Sequence, residues 1–229
     1  MTARPPALFP VIVAGMLCLV MAYVPGFDIV LYPLRLLTTM VHEGGHALAT
    51  LATGGQVVAV TIEPDGSGLT RSLGGWRPLI LSAGYLGTTL VGCLLLLASR
   101  VQNRATLLLF VLGASTLALT VLFGRNWLAW AMGIFWGLLL AGWAMRGPRK
   151  THGVMLAFLG IQGSLNAMTD LRTLFDLSVR TGATTDAAMM SREILWGLLP
   201  APFWAILWAA VGATVTAVTL RELLRAPGS

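Results

Sequence analysis

The chain has 229 residues, of which 56% are hydrophobic and 10% charged, with a mean hydropathy of +0.80 and a formal net charge of +6. Soluble domains carry roughly 25% charged residues, so this composition excludes an ordinary soluble globular domain and points to a membrane protein. The basic residues are spread through short connections between apolar runs instead of forming one block, a pattern that suits lipid headgroups and gives no reason to expect a nucleic-acid partner.

A helix crossing about 30 Å of hydrocarbon needs roughly 20 residues, and seven apolar runs approach that length: 8–24, 29–52, 76–98, 105–123, 126–144, 152–175 and 194–219. The expected fold is therefore all-α, a polytopic membrane bundle of about seven transmembrane helices forming one integral-membrane domain over residues 1–229. Arg4 precedes the first run, as it would in a secretory signal, but no small-residue cleavage site precedes "YVPGFD". A retained span is expected there. Cys18 and Cys93 lie inside apolar runs and imply no disulfide framework.

The second run contains "HEGGH", residues 42–46. His42 and His46 are four positions apart, so they project from one helix face and both imidazoles can reach one ion. Glu43 follows the first histidine directly, which sets its carboxylate beside the ion, where it can accept a proton from a water. Zinc is the expected metal, because two imidazoles and one carboxylate leave a tetrahedral position open. Ionisable residues within a span cost roughly 2.5 to 3.5 kcal/mol each on insertion scales and normally face the bundle interior with a partner. Gly44 and Gly45 cost a helix about 1 kcal/mol each relative to Ala, yet they remove bulk near the ion, where a substrate backbone could approach.

After this run, residues 56–72 are rich in β-branched types, turn at Pro64, Asp65, Gly66 and Gly68, and read as a small β-hairpin. The sixth run carries a polar face at spacings of three and four: Gln162, Asn166, Thr169 or Asp170, and Thr173. Depth can be compared between runs. At 1.5 Å per residue, His42 and His46 lie about 20 and 25 Å from residue 29, and Asp170 about 27 Å from residue 152 on a run pointing the same way. Asp170 is thus the expected third metal ligand, with Asn166 one turn earlier supporting the ligands or touching substrate. A hydrogen-bonded seam between helices is the other reading of that face. Asp28 and Asp176 fall at other depths, and His152, beside Arg149 and Lys150, is expected at the interface. Asp186 and Glu193 belong to a second polar connection, residues 178–193, in which a short helix is expected from Thr185 or Asp186.

These features resemble the site-2 protease family of intramembrane zinc metalloproteases. The likeness rests on "HEGGH" within a span, the hairpin after it, "SAGYLG" (residues 82–87) opening the next span, and a late span with Asn166 and Asp170. It implies a core of three spans with flanking ones, zinc on His42, His46 and Asp170, and Glu43 as general base. The implied reaction is hydrolysis of a peptide bond in or near a transmembrane segment of a membrane-protein substrate. It also implies a multi-pass protein of the cell membrane with the active site nearer the cytosolic face; the basic residues themselves divide six against seven between the two sides and do not choose. The segment "NAMTDLRTLF" lacks the proline and the Leu-Asp-Gly run common around the family's third ligand, and no PDZ-like or cystathionine-β-synthase-like segment is present. The alternative is a non-proteolytic membrane protein, either a pseudoprotease binding partner transmembrane helices or a transporter, since polar intramembrane residues also mark translocation paths.

Overall fold

A computed structural model describes residues 8–24, 26–180, 185–194 and 198–225. In chain order it contains α1 (Phe9–Tyr23), α2 (Asp28–Ala52), β1 (Gln56–Ile62), β2 (Gly68–Leu73), α3 (Arg77–Ala98), α4 (Gln102–Phe123), α5 (Trp127–Arg146), α6 (Arg149–Arg180), α7 (Asp186–Glu193) and α8 (Ala201–Leu224). Among the described residues α3, α4, α5 and α8 are long and apolar enough to cross a membrane. Helices α2 and α6 exceed 20 residues but carry more polar residues within them.

Helix boundaries follow local chemistry. Pro78 and Pro202 stand in the first turns of α3 and α8, where a missing N–H costs no bond. The Asn126 side chain accepts from Ala129 N at 3.1 Å and so caps α5. Thr185 does the same for α7, accepting from Ala188 N at 3.2 Å, and the short helix begins where the sequence placed it. Pro33 sits inside α2, and its carbonyl accepts a hydrogen bond from Trp136 Nε1 at 2.9 Å.

Lipid tails are as apolar as Leu, so helices gain most where small residues let their backbones meet. On α4 and α5, Gly113 and Gly137 face one another so closely that a Cβ on Gly113 would lie 2.8 Å from Gly137 O. Gly92 and Gly160 join α3 to α6 in the same way, at 2.9 Å. Gly45 of α2 lies against Ala83 near the start of α3, whereas Leu34 packs with Leu95 and Ala98 near its end. The two helices are therefore antiparallel. The near end of the bundle is where α2 finishes and α3 begins, and the far end is where α3 finishes and α4 begins.

Helix α1 departs from the expected first crossing. It has 15 residues, short of the roughly 20 needed, and its Pro10 packs against Gly153 beside Ser99. Its first turn is thus at the far end, the end at which α2 also begins, instead of the opposite one. His152, near the start of α6, is fully buried, with Nδ1 2.8 Å from Thr106 Oγ1 and Nε2 3.1 Å from Trp143 O, so it ties α4, α5 and α6 together.

The hairpin forms as expected and turns inward. Its strands pair antiparallel from Gln56↔Leu73 to Ile62↔Gly68, with a bulge between Val57 and Ala59. Gly66, at φ +90°, makes the turn. Ile62 is buried in a cluster with Leu36, Met40 and Leu128, and Tyr32 donates to Pro64 O at 2.8 Å. The outer edge of β1 is closed by the α4–α5 connection: Arg125 N donates to Val60 O at 3.0 Å, and Asn126 Nδ2 donates to Ile62 O at 2.7 Å. Among the described residues no strand pairs with the other edge of β2, and this edge borders the cavity that holds the histidines.

Candidate metal centre

One helical turn of α2 separates His42 from His46, and their Nε2 atoms stand 3.0 Å apart. His46 Nδ1 lies 2.6 Å from Ile80 O. A carbonyl only accepts, so Nδ1 carries the proton and Nε2 offers its lone pair to the centre. The His42 ring stands edge-on to Tyr85, with centroids 4.5 Å apart, and Tyr85 stacks on Trp208 at 5.6 Å. The third donor comes from α7, where Asp186 Oδ2 lies 3.4 Å from His42 Nε2 and 3.2 Å from His46 Nε2.

Two nitrogens and one carboxylate oxygen match the donor set of a catalytic zinc site. Donors about 2.0 to 2.2 Å from a tetrahedral zinc stand roughly 3.4 Å from one another, close to the three separations seen here. Space has been left for the ion as well: a Cβ on Gly84 would collide with Nε2 of both histidines. His42, His46 and Asp186 could therefore hold zinc.

The geometry brings a different carboxylate to the histidines from the expected one. Asp170 lines the same cavity, but Asp186 is the carboxylate that meets the histidines. Depth matching compared continuous spans only, whereas the chain leaves α6 and returns through α7. The first turn of that short helix brings an acid to the level of the histidines, and the readable signal was an acid beside a capping threonine in a connection at the same end of the bundle. Gly45 lies against the backbone of Ala83 and Gly44 faces Leu119 at 3.6 Å. They let α2 dock on α3 and α4. Asn166 donates to Thr38 Oγ1 at 3.1 Å, which makes it part of a seam between α6 and α2 and places it outside the group around the histidines.

Glu43 is 3% exposed and lines the cavity. Its Oε2 accepts from Thr70 Oγ1 at 2.7 Å, and Gly68 lies so close that a Cβ there would come 2.6 Å from Oε1. Strand β2 thus covers the carboxylate, a contact that nothing in the local sequence announced. The cavity, about 860 Å³, is bounded by α2, β2, Asp170 and Thr173 of α6, and Asp186 and Met189 of α7, within the usual range for ligand sites. Arg35 borders it beside the turn at Gly66.

Helix α7 is held from two sides. Ala187 and Met190 are buried against α3, α6 and α8, and Glu193 accepts from Arg77 Nε at 3.2 Å.

No curated protein and no solved structure matches the chain significantly. A family profile described as Peptidase M50B-like matches residues 12–219, a range that takes in every residue of the centre. The membrane-type helices, the paired histidines with a neighbouring glutamate and this match agree, and the chain belongs to the Peptidase M50B-like family, the site-2 protease group of zinc metallopeptidases.

Proposed function

We propose that the protein is an intramembrane zinc metalloprotease that hydrolyses a peptide bond in or near a transmembrane segment of a membrane-protein substrate. The observation that carries this reading is the convergence of His42, His46 and Asp186 beside a buried Glu43 in one cavity. Zinc bound by these three residues would supply Lewis-acid polarisation of a water and of the scissile carbonyl. Glu43 accepts the proton of the attacking water and later delivers it to the leaving amine. The Thr70 hydroxyl, donating to Oε2, fixes the carboxylate in one orientation and leaves Oε1 for proton transfer. Helices α2 and α6 complete the set of membrane-crossing helices.

A substrate helix must unwind locally before its carbonyls can be reached, and unpaired backbone is costly in an apolar setting. The open edge of β2 offers replacement partners. Glu63 N donates to Ser67 O, and antiparallel pairs alternate from that bonded pair; the N–H and C=O of Gly68 and Thr70 therefore point outward. An extended substrate segment adds there as a further strand, directly over Glu43. Asp170 and Thr173 border the cavity from α6.

The test uses purified full chain loaded with zinc and a model transmembrane substrate. Glu43→Gln is expected to keep its zinc while losing activity by roughly 10²- to 10⁴-fold, the usual range for a general base. Cleavage at the wild-type rate by Glu43→Gln would remove the base from this reading. A zinc-loaded wild type that cuts no substrate would favour a non-proteolytic binder of transmembrane helices.

A further inference from the structure

A second and larger cavity lies away from the metal centre. It measures about 1480 Å³ and opens between α1, α2, α5 and α6 at the far end of the bundle. Its walls are apolar, formed by side chains such as Leu34, Trp136, Met155 and Phe158. Its polar groups gather at the α3–α4 connection and the start of α6, where Arg100, Gln102, Asn103, Lys150 and Thr151 border it. Among the described residues no aspartate or glutamate lines it.

Among the described residues the two cations at the mouth are not neutralised. Arg100 donates to Glu222 O at 3.1 Å and Arg225 O at 3.4 Å, which are uncharged carbonyls, and a guanidinium has five donors. The Glu222 carboxylate is engaged by Arg225. Among the described residues neither Arg100 nor Lys150 has a carboxylate at ion-pair distance. The neighbouring polar groups are already committed: Gln102 Nε2 donates to Arg149 O, and Trp143 Nε1 donates to Thr151 Oγ1 at 2.9 Å.

We propose that this cavity binds an anionic phospholipid from the bilayer, with its phosphate between Arg100 and Lys150 and its acyl chains along α1, α2, α5 and α6. Charge complementarity selects the headgroup, since basic pockets between membrane helices recognise anionic lipid. The apolar interior selects the tails, because walls left without partner atoms forfeit their dispersion contacts. The site is separate from the zinc ligands, and its occupancy does not depend on proteolysis.

The experiment reconstitutes the full chain in nanodiscs of equimolar phosphatidylglycerol and phosphatidylcholine, extracts it in mild detergent and quantifies retained lipid by mass spectrometry. Wild type is expected to retain phosphatidylglycerol over phosphatidylcholine by at least about tenfold. The Arg100→Gln/Lys150→Gln double variant is expected to retain lipid without preference, and Met155→Trp, which fills the cavity, to retain little of either. Equal retention of both lipids by wild type overturns the proposal, as does an unchanged preference in the double variant. So does the absence of retained lipid, the result expected if a partner's helix fills the space. A tail-labelled photoreactive phosphatidylglycerol tests wild type directly: cross-links concentrated at residues 153–158 support the site, and cross-links spread evenly over α4 and α8 overturn it.

Discussion

At the scale of single residues, the centre divides into a part that local spacing exposes and a part that only the fold assembles. His42, Glu43 and His46 fall within one and a half turns, so helix geometry alone sets both imidazoles on one face. Asp186 is distant in sequence and reaches them only because α7 is packed back against α3, α6 and α8. No periodicity reports such a return. Asp186→Ala is therefore expected to lose most of its bound zinc, whereas Asp170→Ala keeps it; metal analysis of the two purified variants beside wild type makes the comparison. Thr70 is the other residue that only the fold reveals. Hydrogen bonds to charged groups contribute about 1.5 to 3 kcal/mol, so Thr70→Val should lower kcat roughly tenfold or more while zinc content stays at the wild-type level. Equal kcat in the two proteins would show that the hydroxyl does not position Glu43.

At the scale of elements, most boundaries were legible because they are written in local chemistry. Prolines open α3 and α8, Asn126 and Thr185 cap α5 and α7, and glycine turns the hairpin. What could not be read was where the hairpin points. Its inward course depends on Ile62 finding Leu36, Met40 and Leu128, and on Asn126 bracketing Ile62 through both its oxygen and its nitrogen. One side chain thus caps α5 and anchors β1. Asn126→Ala should destabilise the protein by about 1 to 2 kcal/mol, seen as a lower thermal midpoint in detergent. The glycine pair of the second span carries a related lesson: the sequence shows that bulk is missing but not which neighbour takes the space, and at Gly45 it is the backbone of α3.

At the scale of the whole molecule, composition gave the membrane setting, since apolar area has no other solvent to face at this abundance. It did not give the number of full crossings, because α1 is short and its course is decided by packing against α6 rather than by hydropathy. Orientation likewise escapes composition, since the even division of basic residues presumes a first crossing that the 15-residue α1 does not make. The likeness to site-2 proteases leads us to expect the near end in the cytosol, and a reporter joined after Arg77 should then read cytosolic. An extracytoplasmic signal would reverse the assignment.

The placement of Asp186 on so short a helix has a consequence for how the molecule stays closed. Two of the proposed ligands belong to α2 and the third to a segment that follows α6, so an ion held by all three would be a clasp between the beginning and the later part of the chain. Metal affinity and local order are then two measures of one equilibrium. Chelation should loosen α7 before anything else gives way, and trypsin should find the exposed Arg192 faster in the stripped protein than in the zinc-loaded one. If the two forms are cut at the same rate, α7 is held by its contacts with α3, α6 and α8 alone, and the clasp adds nothing to them.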